Sequence, residues 1–585
     1  MAQPVVYTVA NAHSHNDYEQ KVPFFTAYNE QFGSIEADIF LKGDELLVSH
    51  DVKGLEEHRT LEQYYIQPLL ACLNKNNGYP YPDSTIRLQM LIDLKTQGEN
   101  TLQKLITIID QYPALKSGSV KWVITGNRPK SLSGYPSFIS FDGDLYEKYS
   151  DTDLQHISML SGDLKKLTAW NGKNIIPEKD VVAVKNKIKE VHALRKTVRF
   201  WNAPDGINAW YKLMDLNVDF INTDHIVPLA SFLKKLPDNS YTSTQFYQPY
   251  QPTYQSDGTD VKPKNIIFLI GDGTGLPQMY AGYTANKGQL NLFKILNIGF
   301  SKTSSEDNFV TDSAAGATAY SSGKKTNNRF LGVDNTGVAM PLLPLFLERK
   351  KMSSGLITSG DITGATPAGF YAHQTDRDST AAILQDLLTS PVSVLMGSGV
   401  KEWNPALSQK LTQKGFSIVT TVNEASKTSS NKIIVLDSIA NLSMLQGRGD
   451  WLQQAFTSSV QVLSRNKKGF FLMAEGAQID NGGHANSLPY VVTEMLDFDQ
   501  MIGKALEFAD KNKETLVIIT ADHETGGLSL LSGDLKKGNI GGQFSTNDHS
   551  AIPVPVFAYG PQSQLFRGVY ENTEIFYKIL KALGE

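Results

Sequence analysis

Through the first part of the chain, short apolar runs of strand length alternate with stretches of helical periodicity. The strand-like runs are Val5–Val9, Ser34–Leu41, Leu88–Leu94, Lys121–Thr125, Ser137–Phe141, His156–Leu160, Val198–Trp201 and Phe220–Asn222. Strands alternating with helices in this way predict an α/β domain of the (β/α)8 kind, a TIM-like barrel, over residues 1–236. The pattern then breaks: residues 237–263 are rich in Pro, Ser, Thr, Gln and Tyr, follow neither periodicity, and read as a linker. From 264 to 585 the strand-like runs are nearly continuous in apolar residues, at Asn265–Ile270, Gly355–Ile357, Gly469–Met473, Leu516–Thr520 and Val554–Ala558. Such runs belong to strands covered on both faces. With helical patterns at Leu276–Ala285, Pro489–Asp510 and Thr573–Leu583, they predict an open sheet between helical layers, an α/β/α sandwich.

Composition narrows the partners. A chain of 585 residues exceeds what one core serves, which agrees with two domains. The net charge of −5 is spread over interspersed acids and bases, so no basic face is on offer and no nucleic-acid binding is expected. No apolar run approaches the ~20 residues of a membrane helix, so no transmembrane segment is expected. Cys72, the single cysteine, sits in the apolar run Leu69–Leu73 and reads as a small core residue. The start Met1-Ala2-Gln3-Pro4 has no charged or apolar leader; the expectation is a mature chain from which a secretory signal has been removed.

In the second domain, acidic and His residues collect where strands end: Asp272, Glu475, and Asp522 with His523. Open α/β sheets bind ligands at the carboxyl ends of their strands, so these groups should converge, and converging carboxylates repel unless cations neutralise them. Asp480 and His484 are spaced i, i+4 and share a face if that stretch is helical; His549 is a candidate third member. Mixed His and carboxylate ligation suits zinc, whereas Asp272, Glu475 and the hydroxyl of Thr366 form an all-oxygen set that suits magnesium. Ser313 opens a run of small residues, Ser313-Ala-Ala-Gly-Ala-Thr-Ala319, and is either a metal-activated nucleophile or a helix cap.

These residues carry a resemblance. Ile270-Gly-Asp272-Gly273, Thr311-Asp-Ser313-Ala-Ala315, Ala365-Thr-Pro-Ala368, Ala474-Glu-Gly-Ala477 with Asp480 and His484, and Ala521-Asp-His-Glu-Thr-Gly-Gly527 resemble, in order, the signature of alkaline phosphatases. The resemblance implies one zinc on Asp480, His484 and His549, a second on Asp272, Asp522 and His523 beside Ser313, and magnesium on Asp272, Thr366 and Glu475. It implies a phosphoserine intermediate on Ser313 and places Arg377 as the phosphate-clamping guanidinium. Members are often dimers and work outside the cytoplasm, so a homodimer and a periplasmic or secreted location are expected. Gly364 and Asn481 stand where that family often has acidic or basic residues.

In the first domain, Glu36 and Asp38 are spaced i, i+2 on one strand face and can share a hard cation with Asp93. His13 and His50 would flank it as an acid/base pair, with His15 competing with His13. The order His…Glu-x-Asp…His-Asp…Asp-x-Lys, closing on Phe220-Ile-Asn-Thr-Asp224, resembles the glycerophosphodiester phosphodiesterase and phosphatidylinositol-specific phospholipase C superfamily. That implies a Ca or Mg ion and cleavage of phosphodiesters. Ser14 replaces that superfamily's usual Arg, its Pro-Glu-Asn-Thr block is absent, and Asp93 stands for a Glu. The whole reads as a bifunctional phosphoesterase acting on small phosphate diesters and monoesters. Two alternatives are a barrel that only binds head groups, and a second domain that acts mainly on diesters or sulfates.

Overall fold

The computed structural model describes residues 6–585, and the chain divides into two compact units, Met1–Pro237 and Asp238–Glu585. In the first, the strands are β1 (Ala12–Ser14), β2 (Ser34–Lys42), β3 (Glu45–Val48), β4 (Leu88–Leu94), β5 (Val120–Gly126), β6 (Ile139–Asp144), β7 (Ile157–Asp163), β8 (Thr197–Trp201) and β9 (Ile221–Thr223). Eight of them run parallel in the order β8-β7-β6-β5-β4-β2-β1-β9, and the ring closes through a parallel bridge between Arg199 and Phe220. β3 is an added hairpin on β2, turned at Gly43, whose φ of +62° an L side chain rarely adopts. The strand expected at Val5–Val9 starts outside the described residues; the first strand comes later, at β1, after a 3-10 turn at Val9–Asn11.

Alternation across the strands sets what lines the barrel. Leu91, Val123 and Met159, packed with Phe220, form a small apolar floor inside it. Above that floor the inward positions turn polar. In the parallel register Asp38 pairs with Asp93, and Asp93 with Thr125, so their side chains share one level at the carboxyl end.

The second unit is built on a ten-stranded sheet. Its strands, with those of two smaller sheets, are β10 (Ser240–Thr242), β11 (Asn265–Gly271), β12 (Asn297–Lys302), β13 (Ser353–Asp361), β14 (Val392–Ser398), β15 (Ser417–Val419), β16 (Ile433–Leu436), β17 (Phe470–Gly476), β18 (Thr515–Thr520), β19 (Glu524–Thr525), β20 (Leu528–Asp534), β21 (Asn539–Phe544), β22 (His549–Ser550), β23 (Val554–Tyr559) and β24 (Gly568–Glu571). The main order is β15-β16-β14-β13-β17-β11-β18-β23-β12-β24, with β23 antiparallel to both neighbours. Separate apolar clusters cover the two faces, one including Ile267, Leu269, Leu472 and Ile519, the other Ile266, Phe268, Phe471 and Ile518. Burial on both sides is why the central strands β11, β17 and β18 are nearly continuous in apolar residues.

The stretch read as a linker is ordered along the second unit. β10 pairs antiparallel with β21. Beyond it, Tyr247 Oη donates to Asp499 Oδ2 at 2.6 Å, Tyr250 Oη to Asp510 Oδ2 at 3.0 Å, and Thr253 Oγ1 to Asp510 Oδ1 at 2.8 Å. Both acids lie on the helix Leu488–Asn512. The polar composition that looked like flexible spacer therefore supplies hydroxyl donors to buried carboxylates. Asp499 is fully buried and also accepts from Asn291 N, Asn291 Nδ2 and Leu292 N at 2.8–2.9 Å. Asp499→Ala strands these donors together and should cost about 3 kcal/mol or more, seen as a lower urea midpoint of unfolding, whereas Tyr247→Phe should cost about 1 kcal/mol.

Candidate active sites at the strand ends

The second unit brings all of its expected site residues to one end of the sheet except where noted below. β11 and β17 pair with Ile270 opposite Glu475, and β11 and β18 with Ile270 opposite Thr520, so Asp272, Glu475 and Asp522 emerge side by side. The helix Gln478–His484 does form, and His484 Nε2 lies 3.3 Å from Asp480 Oδ2 across one turn. His549 Nε2 is 3.2 Å from His484 Nε2 and 3.6 Å from Asp480 Oδ1. His523 Nε2 is 3.3 Å from both Asp272 Oδ1 and Asp522 Oδ2.

Three nitrogens and the carboxylate oxygens thus point at common centres. The outer ring atoms are taken: His484 Nδ1 lies 2.8 Å from Asn547 O and His549 Nδ1 2.9 Å from Thr311 O. Each Nδ1–H donates to its carbonyl, which leaves the Nε2 lone pairs free for a cation. Asp272 Oδ1, Asp522 Oδ2 and Thr366 Oγ1 are buried and make no hydrogen bond among the described residues. Buried oxygens are not left so in a stable fold unless something positive meets them. The donor set fits two His/carboxylate cations and one all-oxygen cation. Burial, then the neighbouring Asp522, Asp480 and Glu475, push Asp272 well above the usual carboxylate range. Burial likewise raises Glu475 to about 7, while the hydrogen bond to Asp480 lifts His484 to about 9.

Ser313 is not the helix cap. Asp312 holds that place in the helix Ser313–Ser322, its Oδ1 accepting from Ala315 N at 3.0 Å. Ser313 Oγ is left facing His523 Nε2 at 3.2 Å. Gly316 allows the helix to lie this close, since a Cβ there would meet Asp522 Cβ at 3.1 Å. The other oxygen of Asp312 pairs with Arg377 Nη1 at 3.1 Å, so one carboxylate sets both the nucleophile's helix and the guanidinium. Sequence reasoning gave Asp312 no role, although an Asp before a small-residue helix is a capping signal.

Glu524 was also passed over. It is fully buried and accepts from Gln278 Nε2 at 2.7 Å, from Gly527 N and Leu528 N at 3.3 Å, and from Ser550 Oγ. Through these bonds it ties together the segments that carry Asp272, His523 and His549.

In the barrel, Glu36, Asp38 and Asp93 offer oxygens within 4.8 Å of one another, and Asp38 Oδ1 and Asp93 Oδ1 are buried without hydrogen bonds. Lys95 Nζ lies 2.8 Å from Asp38 Oδ2 and 2.7 Å from Asp93 Oδ2. The structure does not bring His13 to the mouth. It is fully buried, with Nδ1 2.8 Å from Ser34 Oγ and Nε2 2.9 Å from both Glu36 Oε2 and Arg199 Nη1. Burial and the Arg199 charge lower it to about 4. His15, one register step nearer the carboxyl end, lies 2.8 Å from Asp224 Oδ1 and is partly exposed. Burial lowers its basicity, but Asp224 and Glu36 outweigh that and raise it. His50 is largely exposed, 3.8 Å from Asp38 Oδ2. Arg199, the buried base on β8, was missed because one charge in a short apolar strand carries little periodic signal.

Comparison with known proteins follows the same division. The profile of the Alkaline phosphatase family matches residues 263–540 and 535–584. That of an AIM6-like phosphodiesterase domain matches residues 5–119. Alkaline phosphatase 4 of Bacillus subtilis is 30% identical over 409 residues, covering 54% of this chain and 89% of the relative. The alkaline phosphatase of Escherichia coli is 27% identical over 411 residues, covering 56% and 87%. The solved alkaline phosphatase from the Antarctic bacterium TAB5 superimposes with a TM-score of 0.53 at 41% identity, over 55% of this chain and 99% of that one. A variant of that enzyme is described with Mg bound in its M3 site, at 40% identity and a TM-score of 0.52, over 55% and 98%.

Since Glu524 faces only donors, Glu524→Gln must turn an amide N–H2 toward one of them. The expected outcome is metal affinity weakened about 10- to 100-fold, read as faster release of zinc to a chelator from a chain whose circular dichroism is unchanged.

Proposed function

The chain belongs to the alkaline phosphatase family and carries an AIM6-like phosphodiesterase domain before it, and on that premise we propose that it is a bifunctional phosphoesterase. The second unit hydrolyses phosphate monoesters through Ser313; the barrel cuts phosphodiesters and so supplies monoesters. The observation that carries the first part is the set of buried, unbonded oxygens of Asp272, Asp522 and Thr366 around an uncapped Ser313 hydroxyl.

Asp480, His484 and His549 would hold one zinc, Asp272, Asp522 and His523 the other, and Asp272, Thr366 and Glu475 a magnesium. When bound, such ions neutralise the carboxylates, favour the serine alkoxide and stabilise charge on attacking and leaving oxygens. Ser313 Oγ attacks phosphorus, the alcohol departs from the opposite side, and the phosphoserine is then cleaved by water to phosphate and free Ser313. Arg377, aimed by Asp312, grips two non-bridging oxygens of the phosphoryl group. Backbone N–H groups at the start of the ten-residue helix Ser313–Ser322 add attraction for the same dianion.

In the barrel, Glu36, Asp38 and Asp93 would hold a calcium or magnesium ion. We assign the acid/base roles to His15 and His50, not His13, because His15 reaches the mouth and its Nδ1–H is oriented by Asp224, as a general base requires. His13 instead braces Glu36 from below. One observation favours the second reading, a barrel that only binds ligands: Lys95 already pairs with Asp38 and Asp93. A homodimer and a periplasmic or secreted location belong to the same proposal; among the described residues no helix is long and apolar enough to cross a membrane.

Ser313→Ala should abolish turnover of p-nitrophenyl phosphate and leave release of the first nitrophenolate from bis(p-nitrophenyl) phosphate intact. His15→Ala should lower that diester step about 100-fold or more with monoester turnover unchanged, and His13→Ala should act chiefly on stability. Full diester turnover in His15→Ala would return the barrel to the binding-module reading.

A further inference from the structure

Resting on the reading of the barrel as a diesterase, we propose that Tyr18 is a positioning residue that couples the carboxylate of Asp38 to His50 and fixes which ring nitrogen of His50 is free. The hydrogen bond made by one ring nitrogen of a histidine sets which nitrogen is free for acid/base work. His15 has Asp224. For His50, Asp38 is too far at 3.8 Å for a hydrogen bond, and the one hydrogen bond of its ring among the described residues is to the Tyr18 hydroxyl, 3.1 Å from Nδ1.

The same hydroxyl lies 2.7 Å from Asp38 Oδ2. A phenol has one proton to give and lone pairs to receive. Two acceptors lie 2.7 Å from it, Asp38 Oδ2 and Asn16 Oδ1, and the charged carboxylate makes the stronger bond, so the Tyr18 O–H donates to Asp38 and a lone pair is left for His50 Nδ1–H. Nε2 of His50, on the solvent side of a largely exposed ring, is then the unprotonated atom that faces substrate. The side chain of Asn16 stands between the two histidines, with Oδ1 2.7 Å from the Tyr18 hydroxyl and Nδ2 3.1 Å from His15 Nδ1.

Tyr18 is held where this requires. It is 1% exposed, and its carbonyl accepts from Arg59 Nη2 at 2.6 Å. Its neighbour Asp17, fully buried, accepts from Ser14 Oγ at 2.8 Å, Tyr65 Oη at 2.9 Å and Phe24 N at 2.6 Å. The last of these pins Phe24 at φ +62°, a backbone angle costly for a bulky residue. The turn between β1 and the first helix is thus bonded to the barrel on each side of Tyr18.

The test uses the full chain carrying Ser313→Ala, so that nitrophenolate release from bis(p-nitrophenyl) phosphate reports the barrel alone. Tyr18→Phe should lower kcat about tenfold with KM within about twofold, and should have no further effect in the His50→Ala background. A Tyr18→Phe enzyme with unchanged kcat beside an impaired His50→Ala enzyme overturns the proposal and leaves the diesterase reading standing. So do effects that multiply in the double variant. An unimpaired His50→Ala enzyme overturns both. Phenylalanine keeps the buried ring, and an unchanged melting midpoint of the variant separates loss of the relay from loss of the fold.

Discussion

Carboxylates crowded at the ends of parallel strands are the constraint on which both units turn. A parallel sheet sends every strand out of the same edge, so acids placed just past the strand ends are forced together. In the second unit that edge gathers Asp272, Glu475 and Asp522 within a buried setting, with Asp272 driven well above the ordinary carboxylate range by burial and its neighbours. Such a cluster opposes folding unless positive charge arrives. The surrounding bonds fit that need: outer ring nitrogens of His484 and His549 are tied to carbonyls, Asp312 caps the helix of Ser313 and pairs with Arg377, and Glu524 joins the segments that carry Asp272, His523 and His549.

The two units meet the constraint differently. The barrel neutralises its acids only in part from its own sequence: although burial works against ionisation of Glu36, Arg199 and His13 outweigh it and hold that carboxyl low, while burial, Glu36 and Asp93 raise Asp38 to about 7 in spite of the Lys95 bridge to Asp38 and Asp93. The phosphatase unit has histidines but no Lys or Arg ion-paired to Asp272, Asp480 or Asp522 among the described residues. Both clusters hold buried oxygens without hydrogen bonds, Asp38 Oδ1 and Asp93 Oδ1 in the barrel and Asp272 Oδ1 and Asp522 Oδ2 in the second unit, but a cation entering the barrel also has to compete with an ammonium already seated.

What was legible in the sequence follows from periodicity and spacing. Continuous apolar runs gave β11, β17, β18 and β23 because burial on both faces leaves no room for polar residues, and the i, i+4 spacing of Asp480 and His484 held as soon as the helix formed. The short β1 escaped because its three residues, all of them buried and two of them polar, carry no alternation. His13 and His15 differ by two positions, but His13 lies within β1, buried beside β2, while His15 falls in the turn just past the strand end; that boundary separates a buried brace from a group at the mouth. Residues 237–263 were misread because side-chain donors that satisfy buried acids 250 or so positions away have the composition of a spacer.

That last segment also shows how remote packing reaches the chemistry. The helix Leu488–Asn512 receives it through Asp499, and the preceding residue, Phe498, lies on the last turns of two site strands. A Cβ at Gly271 would come within 3.1 Å of the Phe498 ring, and one at Gly476 within 2.8 Å. Those glycines stand directly before Asp272 and directly after Glu475, so the aromatic ring supports the backbone from which both carboxylates emerge. Closely packed interiors transmit small shifts instead of absorbing them. The packing of the helix is thus continuous from the Tyr247–Asp499 bond, through Phe498, to the backbone beside two acids whose repulsion the fold has to offset.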